Sequence, residues 1–296
     1  PRWPRSSLFG LVLATMAALL LTPDTLLVRL SGMDGYPLIA WRGIGVATML
    51  LGLWAFQGLP ERASLKSRAA LILVTCHALN GILFIAALSV APVAIVLFAV
   101  ATVPVFSAIF GWIGGEAVPR ITWAVIAAVL SGIAVAVFGS SDGGLVLDIP
   151  VLLGALAGLG SAAVLALSFV VIRKCDKMPI EAVVGLGSLL AALFGIVAVG
   201  GAGTFSAGDQ LWPIVVSGFI ILPTSFMLLN VASRHTPAAN VSLLLLLETV
   251  LGPVWVWVVI GEAMTLPMIA GGLVVVVSLL VYIIASARMM PRDTLH

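Results

Sequence analysis

Residues Gly111–Pro119 read GWIGGEAVP, and Trp257–Pro267 read WVVIGEAMTLP. Each stretch closes one long apolar run and precedes another. Their Gly-Glu-Ala triplets, at 115–117 and 261–263, are offset by 146 residues, close to half of the 296-residue chain. A shared triplet with shared flanks at half the chain length reads as an internal duplication.

The composition around these stretches is that of a membrane protein. Hydrophobic residues make up 62% of the chain and charged residues 9%, with a mean hydropathy of +1.26. A soluble domain carries roughly a quarter of its residues as Asp, Glu, Lys or Arg; this chain lacks the charge to cover itself in water. Its net charge of +2 leaves no basic footprint for nucleic acid. Cys76 and Cys175 form no CxxC pair and have no histidine at ligand spacing, so they read as small apolar residues rather than a disulfide or metal site. No Walker motif and no cofactor motif is present, so the reading carries no metal, no cofactor and no direct use of ATP.

A membrane helix takes roughly 20 mostly apolar residues. Cutting the chain at its charges, prolines and glycines predicts ten such spans, near 7–29, 36–57, 68–89, 92–113, 120–139, 150–173, 181–202, 211–232, 238–260 and 265–287. The N-terminal run from Arg2 and Arg5 to Leu21 imitates a signal peptide. No small-x-small site closes it, and it reads as the first span. With a cytoplasmic N-terminus, the inner segments hold Arg2, Arg5, Arg62, Lys66, Arg68, Arg120, Arg173, Lys174, Lys177, Arg234, Arg288 and Arg292, twelve of the 14 basic residues. Arg29 falls outside and Arg42 within span 2, while Asp34, Asp142, Asp148 and Asp209 lie in outer loops. This is the positive-inside pattern, with both termini cytoplasmic. The expected localisation is the bacterial inner membrane, multi-pass, the lipid bilayer being the principal partner and the protein a monomer.

Spans 1–5 (residues 1–145) and 6–10 (146–296) thus read as two copies of a five-helix unit. Because five is odd, the second copy inserts upside down. The fold class is all-α, ten transmembrane helices in two inverted repeats, an architecture in which one half rocks against the other around a central site. In this arrangement, with a Gly-Glu closing the fourth span of each half, the whole chain resembles the EamA family of the drug/metabolite transporter superfamily. Pro104, twelve residues before Glu116, matches the family's habit; the equivalent position in span 9 is Val250, with Pro253 slightly later. Among members it is most similar to the YddG-type exporters of aromatic amino acids. The resemblance implies secondary export of small amphipathic metabolites, amino acids among them.

Polar groups within the spans are few. Glu248 sits near the middle of span 9, where an ionised carboxylate costs about 2.5–3.5 kcal/mol on insertion scales. It reads as an ammonium-binding or proton-coupled group, or as a packing carboxyl bonded to backbone. His77, Asn80 and Phe84 share one face of span 3; that face suits an amphipathic solute or a proton relay, and equally an interhelical hydrogen bond. Trp255 lies seven residues from Glu248 on the same face and can offer a ring to the same ligand, or simply pack. Arg42 and Asp24, in the outer thirds of spans 2 and 1, read as an ion pair, structural or gating, with Arg42 alternatively snorkelling or meeting a substrate carboxylate. Ser107, Gly111 and Gly115 form a small-residue packing stripe.

Two other functions compete. Proton-coupled export of cationic drugs or of nucleosides is the alternative; the acid that small multidrug pumps carry midway along span 1 is missing here. An intramembrane enzyme would need a catalytic set, and neither paired aspartates nor a convincing Ser–His pair is present, so the reading is not an enzyme.

Overall fold

The computed structural model describes residues 7–33, 35–91, 93–139, 149–200, 210–261 and 264–289. Arg2, Arg5, Asp34, Asp142, Asp148, Asp209, Glu262, Ala263 and Arg292, on which some of the expectations above fall, lie outside them. Every regular element among the described residues is helical. Among the described residues, ten helices are long and apolar enough to cross a membrane: Leu8–Ser31, Gly35–Phe56, Arg68–Val90, Ile95–Ile113, Arg120–Phe138, Ile149–Arg173, Ile180–Val199, Trp212–His235, Ala238–Ile260 and Leu266–Ala285, here spans 1 to 10. Each coincides with an expected span to within a few residues.

Exposed side chains show which faces meet lipid. Leu8, Val12, Met16 and Leu19 recur at helical spacing along one side of span 1, and Leu273, Val277, Leu280 and Ile284 do the same along span 10. An apolar stripe turned outward is stable in hydrocarbon; Asp24, His77, Ser161, Ser217 and Asn230 are buried within the bundle.

The principal helix pairings obey a simple rule. Span 2 packs on span 7, span 4 on 9 and span 5 on 10; span 3 packs on 6 and 8 on 1; span 4 packs on 6 and 9 on 1; span 3 packs on 7 and 8 on 2. Exchanging each span for the one five places along returns the same set. Glycine makes the tightest of these contacts possible. At Gly43 in span 2, a Cβ would fall 2.7 Å from the Ser188 carbonyl oxygen of span 7; at Gly132 in span 5, it would fall 2.8 Å from the Gly271 carbonyl oxygen of span 10. Membrane helices associate by such close backbone approach.

Four spans are interrupted. Span 1 breaks at Thr22-Pro23, between helices Ser7–Leu21 and Asp24–Ser31. Span 4 breaks between Val93–Val100 and Val103–Ile113, where Pro104, lacking an N–H, leaves the Val100 carbonyl without its helical donor. Span 9 breaks at Leu246, between Ala238–Leu245 and Leu247–Ile260. No proline explains that break, since Pro253 lies inside the second segment. Span 8 widens into a π turn at Ser217–Ile221 ahead of Pro223. The breaks in spans 4 and 9 fall at matching positions of the five-span exchange.

Arg173, Lys174 and Arg234 come together where spans 6 and 8 end, here called the basic face. There, Arg234 at the end of span 8 donates to the carbonyls of Cys175 (3.1 Å) and Met178 in the loop after span 6. Thr122 of span 5, Tyr282 of span 10, Asn240 of span 9 and Thr236 form one buried chain of hydrogen bonds, with Tyr282 donating to Asn240 Oδ1 at 2.6 Å, Thr122 and Tyr282 hydroxyls 3.1 Å apart, and Asn240 donating to Thr236 at 2.8 Å.

Candidate functional site

A cavity of about 200 Å³ lies at the centre of the molecule. Its walls come from spans 1, 2, 3 and 4 and from spans 6, 7, 8 and 9; spans 5 and 10 contribute none of its lining. The lining is mostly apolar, with Val100, Val103, Leu165, Leu245, Phe84 and Phe226 among it. A small number of polar groups in an apolar hollow is the usual make-up of a small-molecule site.

Six of the seven candidate residues singled out from the sequence line the cavity: the polar Asp24, Arg42, His77, Asn80 and Glu248, and the aromatic Phe84. The breaks in the helices bring several of them there. Asp24 opens the second segment of span 1, and Glu248 lies in the first turn of the second segment of span 9. Irregular backbone at membrane depth is tolerated where it faces protein or a cavity, and both breaks do so.

Asp24 and Arg42 form an ion pair, Nη2 to Oδ2 at 2.6 Å. The Asp24 side chain is 5% exposed and that of Arg42 20%. The other Asp24 oxygen accepts a hydrogen bond from Ser217, in the π turn of span 8. Glu248 lies within electrostatic reach of both Asp24 and Arg42. The cavity thus holds two carboxyl groups against one guanidinium, at the junction of spans 1, 2, 8 and 9. On its other side, Ser161 of span 6 donates to Asn80 Oδ1 at 2.9 Å, which fixes the amide and keeps its two N–H groups as donors. The His77 imidazole lies beside the Asn230 amide of span 8; His77 Nε2 and Asn230 Oδ1 are both buried without a well-aligned hydrogen bond.

Trp255 stands apart. It is outside the cavity lining, 43% exposed, and its indole donates to Thr22 Oγ1 at 2.9 Å. Seven residues bring it to the same angular face as Glu248 but about 10 Å further along the axis, against the break in span 1. Equal angle is not equal depth.

Three polar partners escaped the sequence reading: Ser217, Ser161 and Asn230. Small hydroxyls are common in membrane helices and carry no signal of their own. Asn230 did have one, an amide within the apolar run FMLLNVA of span 8.

Arrangement and site define a multi-pass helical membrane protein with a central, partly polar cavity. Residues 152–284 match the EamA-like transporter family, and the match supports that family for this chain. A solved structure described only as the crystal structure of a protein aligns with 98% of this chain and 100% of its own, with a TM-score of 0.77 at 18% identity; this shows that the fold is shared. No curated protein matches the sequence.

Proposed function

We propose that this chain is a secondary transporter of the bacterial inner membrane, exporting small amphipathic metabolites, amino acids and above all aromatic ones. The observation that carries the proposal is the presence of Glu248 in the central cavity beside the Asp24–Arg42 pair. Intramembrane ionisable groups facing a cavity mark substrate or ion pathways. In this reading Glu248 takes the ammonium of the solute, the amide of Asn80 and the imidazole of His77 meet its polar part, and Phe84 and Phe226 hold its apolar part. Trp255 contributes indirectly, by bracing span 9 against Thr22.

Transport follows from rocking of residues 1–145 against 146–296, an interpretation supported by the exchange symmetry of the helix pairings and by parity, since a five-span unit repeated once must invert. Both termini lie on the cytoplasmic side, with the basic loops, and the protein acts as a monomer. Export of cationic drugs or nucleosides coupled to protons is the second reading. Two acids facing one base in the cavity favour it, because the excess negative charge calls for a positive partner.

Reconstitution into liposomes with a panel of labelled amino acids, nucleosides and organic cations tests both. Aromatic amino acid flux that falls to background in Glu248→Gln, with the variant still monodisperse in detergent, is the expected result. Flux of cations alone would favour the second reading, and wild-type flux in Glu248→Gln would remove Glu248 from the mechanism.

A further inference from the structure

At the basic face, away from the cavity, span 4 ends in a turn that doubles back. Helix Val103–Ile113 stops at Gly114, Gly115 takes a φ of 88° that strains any side chain, and the Glu116 N–H donates to the Gly111 carbonyl at 2.8 Å. The Glu116 carboxylate is thereby folded against Gly111, where a Cβ would come 3.2 Å from its Oε2. From this position its Oε1 meets Arg173 Nε at 3.1 Å, at the end of span 6. The next residue, Lys174, donates to the Gly114 carbonyl at 2.9 Å, a cation on the carbonyl end of a helix, where it is favoured. Two consecutive basic residues of span 6 therefore grip the last turn of span 4.

Spans 4 and 6 are the walls that carry Val100, Val103, Ser161 and Leu165 of the cavity. The grip lies eight to ten residues further toward the basic face, about 12–15 Å along the helices. It also joins the first five spans to the second five. The side chains are 15% and 28% exposed, but Glu116 Oε1 and Arg173 Nη1 are buried without a well-aligned hydrogen bond, so the closed pair leaves polar capacity unmet that water would meet once it parts.

We propose that Glu116 and Arg173 form a latch that shuts the basic-face mouth of the cavity by tying the broken span 4 to span 6, and that the pair separates whenever that mouth opens. The inference rests on the transport reading for its purpose, and on the geometry alone for its existence.

The test uses Val103→Cys as a reporter on the cavity wall, in a Cys76→Ser, Cys175→Ser background, in sealed membrane vesicles of both orientations. The rate of reaction with an impermeant methanethiosulfonate cation is measured from each face. Glu116→Gln and Arg173→Gln should each speed modification from the basic face by about fivefold or more, the equivalent of losing one partly exposed ion pair, and leave the opposite face unchanged. Glu116→Asp, which keeps the charge, should stay closer to the parent, and Glu116→Arg with Arg173→Glu should return the rate toward it. Unaltered rates in both Gln variants overturn the latch, as does acceleration that the charge exchange fails to reverse. Because no substrate is needed, an empty transport panel would count against the proposed function and leave this result standing.

Discussion

The Arg42 guanidinium meets Asp24 at 2.6 Å across two adjacent helices, and the second oxygen of that carboxylate is taken by Ser217, 193 residues further along the chain. Three spans are thus joined through one side chain that is almost fully buried. Removing one partner of such a pair strands the other in a low-dielectric interior and costs about 3–5 kcal/mol.

Arg42→Ala alone and Asp24→Asn alone should each lower stability, Arg42→Ala more, since it leaves an uncompensated carboxylate. The double variant should be milder than their sum by about 1–3 kcal/mol. Denaturation in detergent micelles over the four-member cycle measures the coupling; simple additivity would mean that the contact contributes nothing.

Gly187 carries a second, steric expectation. A Cβ there would fall 2.5 Å from the Cβ of His77 and 2.8 Å from the Val74 carbonyl oxygen. Gly187→Ala must push span 7 from span 3 at the level of the cavity, at a cost of about 1–3 kcal/mol. The accompanying signature should be a raised half-saturating concentration for any transported solute, because His77 moves with span 3. A variant as stable as the parent, with unchanged affinity, would show that the two helices are not in this contact.

The orientation is tested by single cysteines. At Lys66 and Lys177, on exposed loops of the basic face, labelling by an impermeant reagent should require access from the cytoplasm. At Gln210, also exposed, it should proceed from the periplasm. The reverse pattern would invert the assignment of the two faces.

Much of this architecture was legible in the sequence for a plain reason: lipid imposes a length and a polarity on every span, so cutting at charges, prolines and glycines finds the helices. The site was legible by the same scarcity. Glu248, His77, Asn80, Asp24 and Arg42 stand out because the hydrocarbon tolerates so few polar groups, and all five line one cavity. What the sequence withheld was depth and kinking. The interruption at Leu246 has no proline to announce it, and periodicity along span 9 puts Trp255 on the face of Glu248 without registering that it lies about 10 Å further along the axis. The role of Ser217 was equally hidden, because a serine has an acid as its partner only when the fold supplies one.

Tyr282→Phe gives a fourth expectation. It deletes one hydroxyl from the buried chain joining Thr122, Tyr282, Asn240 and Thr236, leaving Asn240 Oδ1 without its donor. The loss should be about 1–3 kcal/mol, read as a lowered melting temperature in micelles, with solute affinity unaltered. A change in affinity without a change in stability would mean that this end of span 10 senses the cavity.

Spans 5 and 10 lean glycine to glycine on each other and give nothing to the cavity wall. The division of labour between them and the other eight helices has an evolutionary reading. On the proposed transport reading, substitutions along this outer pair tune how long the protein lasts and how it suits membranes of different thickness, and the choice of cargo is left to the cavity. A lineage can therefore adapt to a new temperature or lipid composition through one fifth of its helices, and to a new solute through the remainder, with little interference between the two.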